Sequence, residues 1–302
     1  FKRRNIFKFR VACIRYFFHR YWDYIVFAKV SIYYRKQKNK LIFVLNFSIL
    51  KITFLGTGTS QGIPIIGSTH PVCLSENPKD KRLRVSVLIE WNNYTFVIDC
   101  GPDFRQQMLR ANVSKIDGVI FTHEHADHTM GLDDIRPFFF RQGDIPLYAH
   151  KRVFTALEKR FDYIFTTAEK YPGVPSVIKH EIKNAPFTVG NIKVFPIDGL
   201  HHKLQVFGYR FNDFAYLTDM KTIPDKEIEK LHNLDVLVVN ALREKPHISH
   251  FNLEEALDFI ALVKPKRAYL THISHLLGFH DEVQQKLPNN VFLAYDNLQI
   301  TI

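Results

Sequence analysis

The chain has 302 residues, of which 46% are hydrophobic and 14% aromatic, with 41 Lys and Arg against 30 Asp and Glu. This composition is typical of a globular protein, and it excludes a disordered chain and a collagen-like one. The net charge of +11 comes from residues 1–50, where 12 basic side chains stand against one acid. Because the remaining residues are neutral overall, the charge excludes a basic nucleic-acid-binding surface spread over the main body.

Three cysteines, Cys13, Cys73 and Cys100, are too few and too scattered for a disulfide framework, which favours a reducing compartment. The sequence has no apolar run of about 18 residues, and charged side chains interrupt any apolar signal segment near its start. We therefore expect a cytoplasmic protein with no membrane-spanning segment.

Residues 1–46 are basic and aromatic and contain no methionine, which predicts a unit separate from the domain at residues 47–302. One interpretation is an arm that binds a membrane surface or nucleic acid. The alternative, which we favour, is an extension upstream of the true start of the protein, or a poorly ordered tail.

From about residue 48 the pattern alternates strands with loops and a few helices. Predicted strands cover residues 49–55, 85–90, 94–99, 118–122, 187–196, 206–211, 214–218, 234–240 and 267–271. Predicted helices cover residues 104–110, 153–160, 223–231 and 253–263. Asn252 is the expected cap of the last helix, with Glu255 three residues on. This order predicts two β-sheets packed together with helices outside them.

The strongest chemical signal follows the strand predicted at residues 118–122. Residues 123–128 read His-Glu-His-Ala-Asp-His, so four side chains that can bind a metal lie within six positions. A loop at a strand end can direct His123 and His125 one way and Asp127 and His128 another, which suits two adjacent cations. Imidazole and carboxylate ligands suit Zn²⁺, Mn²⁺ or Fe²⁺.

Three further candidate ligands stand at the ends of predicted strands: His201, Asp219 and His272. A lone polar residue at a strand end is usually structural or solvated, but three of them after a dense ligand loop favour a metal site. A dinuclear site needs a carboxylate that can bridge two cations, and Asp219 is the candidate.

The motif at residues 123–128 resembles the His-x-His-x-Asp-His signature of the metallo-β-lactamase superfamily. Residues 53–62 (TFLGTGTSQG), 96–101 (FVIDCG) and 270–275 (LTHISH) resemble one branch of it. That branch holds the phosphoribosyl 1,2-cyclic phosphate phosphodiesterases (PhnP proteins) and, more distantly, the tRNA 3′-processing endonucleases. The resemblance covers about residues 50–302. It implies an α/β (α+β) fold, an αββα sandwich in which helices flank two mixed β-sheets and metals lie at one edge.

The resemblance also implies which side chains hold two divalent cations, zinc or manganese. They are His123, His125 and His201 for one cation, Asp127, His128 and His272 for the other, and Asp219 as the bridge. His202 is a rival to His201, which we prefer because residues 201–204 resemble the family's His-x-Lys-Leu. Asp99 resembles an acid that orients ligands from behind them, although a turn residue at a strand end is the simpler interpretation.

Three residues are expected to take part in catalysis: His250, Asp219 and Asp127. His250 resembles a family histidine proposed to protonate the leaving group, and imidazole titrates near neutrality, which suits that task. His247 is a second candidate for this role or a surface residue.

A structural zinc is expected in many members of the branch, held by a Cys-x-Cys-x-x-Cys run and a histidine. Here Ser68, His70 and Cys73 stand in the places of the run, with His275 as the fourth residue. Because Ser is a poor zinc ligand, the site is either three-coordinate from the protein or lost, and we favour loss.

We therefore expect a metal-dependent hydrolase in which a hydroxide held between two cations cleaves a phosphodiester. The expected substrate is a small cyclic phosphate that resembles phosphoribosyl 1,2-cyclic phosphate or a nucleotide. One alternative is a tRNA 3′-processing endonuclease, although the neutral main body does not favour a nucleic-acid partner. Another is an acyl hydrolase that acts on a thioester or lactone at the same metals.

Two further alternatives concern binding and assembly. A non-catalytic module with an inactive metal site would lack ligands, whereas every expected ligand is present. Related proteins are often dimers, and the Phe-Phe-Phe run at residues 138–140 is either an exposed patch for a homodimer or part of the core or pocket.

Overall fold

The computed structural model describes residues 31–37, 40–46, 49–166 and 170–302. The chain divides into the units Phe1–Ser48 and Ile49–Ile302. In the first unit, β1 (Ser31–Gln37) pairs antiparallel with β2 (Lys40–Asn46). No element is predicted there from the sequence. The prediction of an arm, an extra extension or a poorly ordered tail falls largely on residues 1–30, which lie outside the described part of the chain.

Two mixed seven-stranded sheets form the centre of the second unit. The first has the spatial order β16 (Gln299–Thr301), β3 (Lys51–Gly56), β4 (Ser86–Trp91), β5 (Tyr94–Ile98), β6 (Gly118–Ile120), β7 (Ile145–His150) and β8 (Val177–Ile182). The second has the order β15 (Val291–Leu293), β14 (Arg267–Thr271), β13 (Val236–Asn240), β12 (Phe214–Tyr216), β11 (Leu204–Phe211), β10 (Ile192–His201) and β9 (Phe187–Val189). Strands β5 to β8 and β12 to β15 run parallel within their sheets.

Short α-helices connect these strands. In the described residues they are α1 (Pro71–Leu74), α2 (Phe104–Arg110), α3 (Ala126–Thr129), α4 (Arg136–Gln142), α5 (Lys151–Arg160), α6 (Asp162–Phe165), α7 (Asp225–Ile228), α8 (Leu253–Val263) and α9 (His280–Gln284). The predicted capping box of α8 is present, because Asn252 Oδ1 accepts the Glu255 amide and the Glu255 carboxylate accepts the Asn252 amide. No helix of the described residues combines the length and apolar character needed to cross a membrane.

Alternation along the strands produces the layers. In β4, Val87 and Ile89 face the core between the two sheets, whereas Leu88 between them faces the helices outside the first sheet. On the other side, Phe259 and Val263 of α8 pack on the outer face of the second sheet. The predicted αββα sandwich of two mixed sheets and flanking helices is therefore confirmed.

Several predicted elements are shorter in the structure, and one predicted strand divides into two. The strand predicted at residues 187–196 is two strands, β9 and β10, which pair antiparallel around a tight turn at Gly190. Gly190 has a φ of 54°, a left-handed value that glycine adopts without a steric cost. The resulting β10 is longer than predicted and reaches His201, so the hairpin with β11 carries this side chain to the end of the sheet.

Candidate metal centre

The candidate site lies where strands of both sheets end. Asp99 directly follows β5, and residues 123–128 begin three residues after the end of β6. In the second sheet, Asp219 is the third residue after β12, and His272 directly follows β14. Since the carboxyl ends of neighbouring parallel strands meet at one edge, the fold gathers these side chains from distant parts of the sequence.

The backbone turns sharply at three of these positions. Asp99 has a φ of 63°, Asp219 of 57° and His272 of 53°. Non-glycine residues adopt this left-handed conformation infrequently. It persists where the surrounding structure holds it, and such positions cluster at functional sites.

Residues 123–128 form two pairs of potential ligands. Nε2 of His123 lies 3.0 Å from Nδ1 of His125. Asp127 and His128 belong to α3, which begins directly after His125, and Oδ2 of Asp127 lies 3.3 Å from Nε2 of His128. The sequence predicts a loop for the whole segment, whereas the structure has a short helix that carries Asp127 and His128 but not His123 and His125.

His201 completes the first group of candidate ligands. Its ring centroid lies 5.1 Å from that of His125 and 5.8 Å from that of His123. Nδ1 of His201 lies 2.8 Å from the carbonyl oxygen of Ser249, so it donates there and leaves Nε2 free for a cation. The rival His202 occupies the hairpin turn with a φ of 56° and is exposed, outside all three close groups of potential ligands among the described residues.

The second group consists of Asp127, His128 and His272, whose ligand atoms lie within 4.8 Å of one another. Asp219 faces two of them, with Oδ2 at 3.2 Å from Nε2 of His128 and Oδ1 at 3.1 Å from Nε2 of His272. Asp219 also forms a close group with His123 and His128. The seven candidate ligands therefore converge on one site, with the Asp219 carboxylate between the two groups.

The chemistry of this cluster fits divalent cations. Nε2 of both His128 and His272 is buried and lies beside the Asp219 carboxylate without the geometry of a hydrogen bond. Burial, together with the neighbouring His128, lowers the pKa of His123 well below its ordinary value, so this imidazole is neutral and its lone pair can bind a metal. Burial of the Asp219 carboxyl raises its pKa, but His272 and His128 outweigh this effect and bring it well below its usual range. Buried, unpartnered imidazole nitrogens around ionised carboxylates are a typical cation site.

Asp99 stands behind the ligands. Its Oδ2 lies 2.7 Å from Nδ1 of His128, and its two oxygens accept the Thr122 amide and hydroxyl, both at 2.8 Å. The Thr122 hydroxyl oxygen lies 3.0 Å from Nδ1 of His123. Asp99 thus orients one ligand directly and a second through Thr122. Sequence reasoning does not single out Thr122, and its place next to the ligand loop is the signal that could have found it.

His250 lies within the cluster. Its ring centroid is 4.5 Å from that of His201 and 4.6 Å from that of His272, and its Nδ1 is 3.7 Å from Oδ1 of Asp219. Burial and the neighbouring His272 lower the pKa of His250 to about 2, so the ring is neutral in the free protein. His247 is farther out, with its ring centroid 5.3 Å from that of His250.

The residues considered for a structural zinc lie in a separate loop. The rings of His70 and His275 meet edge to face, with centroids 4.8 Å apart, and Ser68 Oγ accepts the His70 amide. Nδ1 of His70 accepts the Val72 amide, and Cys73 is buried. None of the close ligand groups found among the described residues includes these side chains. A structural zinc, and its loss, both stay predictions.

The Phe-Phe-Phe run lies in α4 and divides between core and surface. Phe138 is buried, Phe139 is half-buried, and Phe140 is exposed. Cys100 is fully buried, and burial raises the pKa of its thiol well above the ordinary value, which fits packing rather than a nucleophile.

Comparison with known proteins identifies the family to which this chain belongs. The model of a family described as the beta-lactamase superfamily domain matches residues 94–273. Among solved structures, the chain is similar to a diphosphatase from the PhnP family, with 39% identity and a TM-score of 0.79 over 84% of this chain and 97% of that chain.

Two curated relatives carry other names. The chain is 39% identical over 256 residues to an octanoyltransferase of Porphyromonas gingivalis, which covers 84% of this chain and 52% of that protein. It is 32% identical over 96 residues to a ribonuclease Z of Methanococcus maripaludis, which covers 31% of this chain and 26% of that protein. The chain thus spans about half the length of the first relative and about a quarter of the second. The fold implies divalent metal ions, and the chain belongs to the beta-lactamase superfamily and, within it, to the PhnP family.

Proposed function

We propose that this chain hydrolyses a phosphodiester bond with two divalent cations, zinc or manganese, and that its substrate is a small cyclic phosphate, similar to phosphoribosyl 1,2-cyclic phosphate or a nucleotide. The observation that carries the proposal is the place of Asp219. Its carboxylate faces His128 and His272 and also forms close groups with His123 and with His201. A buried carboxylate shared by two sets of ligands is what a dinuclear hydrolase requires.

The side chains take distinct roles. His123, His125 and His201 would hold one cation, Asp127, His128 and His272 would hold the other, and Asp219 would serve both. When bound, two divalent cations lower the pKa of a water molecule and polarise the phosphoryl oxygens. Asp99 and Thr122 fix the directions in which His128 and His123 point. The diphosphatase name of the PhnP-family relative supports a phosphorus electrophile.

His250 donates the proton that the leaving alkoxide needs. Its ring is close to those of both His201 and His272, which belong to different ligand groups. The ring is neutral in the free protein, but a bound phosphodiester carries a negative charge, and an adjacent anion favours the imidazolium form. Charging of His250 is therefore coupled to binding of an anionic substrate.

The test uses protein stripped of metal with a chelator and loaded separately with Mn²⁺ and Zn²⁺. Hydrolysis of bis(p-nitrophenyl) phosphate is measured first, and cyclic phosphates follow. We expect turnover that needs added metal and is lost in Asp219→Ala with the fold retained. Turnover by Asp219→Ala at the wild-type rate would remove the bridging role, and no turnover with either metal would remove the phosphodiester assignment.

Ribonuclease Z relatives favour RNA as a second candidate substrate, with matches that cover between 31% and 62% of this chain. An RNA partner predicts binding that weakens steeply with salt. Cleavage of a precursor tRNA at its 3′ side, compared with cleavage of a cyclic phosphate under the same conditions, separates the two substrates.

The octanoyltransferase relative favours an acyl substrate as a third candidate, again over only half of that protein. The same metals can polarise an acyl carbonyl, so thioesters and lactones belong in the same screen. Faster turnover of a thioester than of any phosphodiester would replace the proposal.

A further inference from the structure

Helix α5 places two arginines beside the loop that carries the first candidate ligands. Arg152 stands in its first turn and Arg160 at its end. Nη1 of Arg152 donates to Oε1 of Glu124 at 2.7 Å, and Nη1 of Arg160 donates to the Glu124 carbonyl oxygen. Glu124 lies between His123 and His125 in the sequence, so both arginines contact the one residue that separates these two histidines.

Arg152 also reaches the second sheet. Its Nη2 donates to the carbonyl oxygen of Gln205 at 2.5 Å. Gln205 pairs with Leu200 across the β10–β11 hairpin, next to the pair formed by His201 and Leu204. One guanidinium therefore joins the loop of His123 and His125 to the hairpin of His201.

This connection matters because the first three candidate ligands come from different sheets. Two other bonds join the sheets close by: the Phe207 amide donates to the Thr122 carbonyl oxygen at 3.1 Å, and the Tyr209 hydroxyl donates to that of Phe121 at 2.5 Å. Both of these bonds hold Phe121 and Thr122, which directly precede the ligand loop. Arg152 instead binds Glu124, within the loop itself.

We propose that Arg152 is a positioning residue that sets the distance between His201 and the pair His123 and His125, and with it the affinity of the first metal position. Its planar, forked guanidinium can hold two acceptors at a fixed spacing, which an ammonium cannot do. The pair with Glu124 is partly shielded, with side-chain exposures of 32% for Arg152 and 17% for Glu124. The Glu124 charge and the Gln205 carbonyl occupy both terminal nitrogens of Arg152, so the group is already engaged without a substrate.

Arg160 supports the other side of the same loop. Its Nη1 donates to Oγ1 of Thr129 at 3.1 Å, and that hydroxyl donates to the His125 carbonyl oxygen at 2.8 Å. Glu124 and His125 are thus held from both ends of α5. In the described part of the chain, neither arginine forms a hydrogen bond or ion pair with Asp127, His128 or His272, so the effect is expected at the first metal position alone.

The inference rests on the proposed dinuclear site, and the test is a titration of metal-free protein with Zn²⁺ against a chromophoric chelator, which yields two successive dissociation constants. In Arg152→Met we expect one constant to weaken roughly 10-fold, the low end of what partners behind metal ligands contribute, while the other stays within about twofold. Arg152→Lys keeps the charge but lacks the planar fork that holds two acceptors at a fixed spacing, and it should lie between wild type and Arg152→Met. In Arg152→Met compared with the wild-type enzyme, kcat should fall by a larger factor than KM rises.

Lys179→Met is the matched control. It breaks a 2.5 Å ion pair between β8 and Glu158 of the same helix α5, remote from the candidate ligands. Both of its dissociation constants should equal those of wild type.

Unchanged constants in Arg152→Met, or an equal loss in both, would overturn the positioning role. A rise in KM alone at unchanged metal affinity would also overturn it and would indicate a substrate contact. Wild-type protein that binds no metal would overturn the proposed function together with this inference, whereas two bound metals with no effect of the variant would overturn the inference alone.

Discussion

Oδ2 of Asp99 lies 2.7 Å from Nδ1 of His128, and both side chains are fully buried. Because an acceptor at Nδ1 fixes the proton there, Nε2 of His128 is left to face Asp127 and Asp219. The same carboxylate accepts two bonds from Thr122, so its position does not depend on His128.

Asp99→Asn should weaken this arrangement without removing a candidate ligand. An amide presents one NH₂ group to partners that are all donors, so at least one of the three bonds is lost. We expect metal affinity or turnover to fall roughly 10- to 100-fold, measured by metal titration and steady-state kinetics. Asp117→Asn is the control, since the Asp117 carboxylate accepts the Thr95 amide at the opposite end of β5. A loss in the control as large as that in Asp99→Asn would point to the strand rather than to the site.

His201→Ala and His202→Ala form a matched pair of adjacent residues. His201 faces the histidine cluster, whereas His202 is exposed in the hairpin turn. We expect His201→Ala to lose one bound metal and nearly all activity, while His202→Ala keeps two metals and activity within about threefold of wild type. Metal content per chain, measured by elemental analysis, separates the two variants. The reverse result would assign the ligand role to His202.

Removal of metal should lower thermal stability. A cation that binds the folded chain and not the unfolded one stabilises by about 2.7 kcal/mol at a free concentration of 100 times its Kd. For a domain of this size that corresponds to a rise in Tm of roughly 5–10 °C for one such site. Scanning calorimetry with and without chelator measures it, and Asp219→Ala should show a much smaller difference. An equal rise in Asp219→Ala would place the stabilising cation elsewhere.

Acid should destabilise the fold partly through His280, which is not one of the candidate metal ligands. Nη2 of the buried Arg82 is 3.1 Å from Nδ1 of His280. Burial, then Arg82 and Lys79, lower the pKa of His280 to about 4, although Asp281 and Asp80 act in the opposite direction. The unfolded histidine titrates near 6.5, so the unfolded state binds more protons between these values, and stability falls as the pH drops from about 6.5 to 4.

His280→Gln removes this titration. Chemical denaturation at pH 7 and pH 5 should therefore show a smaller loss of unfolding free energy in the variant than in wild type. The comparison is between the two losses, because other histidines also titrate in this range. Equal losses would show that His280 has the same pKa in the folded and unfolded states.

The sequence predicts most accurately those helices and strands that carry a capping residue or an apolar run of their own. The start of α8 follows from Asn252 and Glu255, and the extent of β14 from a short apolar run. By contrast, the sequence does not predict β7, which contains Pro146. A proline has no N–H to donate to a neighbouring strand, so it argues against a strand except where no such hydrogen bond is needed. Strands β15 and β16, each of three residues, gain their stability from pairing with distant strands, which no local pattern shows.

The candidate ligands could be predicted for a different reason. Residues 123–128 place four of them in one dense motif, and the remaining three stand at strand ends. The supporting residues have no such signal. Arg152 belongs to α5, which follows β7, the first strand after the ligand loop. Its contacts with Glu124 and Gln205 span 28 and 53 positions of the chain. Only the folded packing of the two sheets brings these groups together.

The left-handed backbone at Asp99, Asp219 and His272 has a cost in stability. Each such non-glycine residue costs of order 1–3 kcal/mol, and the surrounding fold must compensate for it. Glycine would adopt the same angles without that cost, but it has no side chain to offer. A metal-free chain with glycine at Asp219 could therefore be harder to unfold than the natural one while being inactive. Selection for stability and selection for the site act in opposite directions at these three turns, and the residues found there record which of the two prevailed.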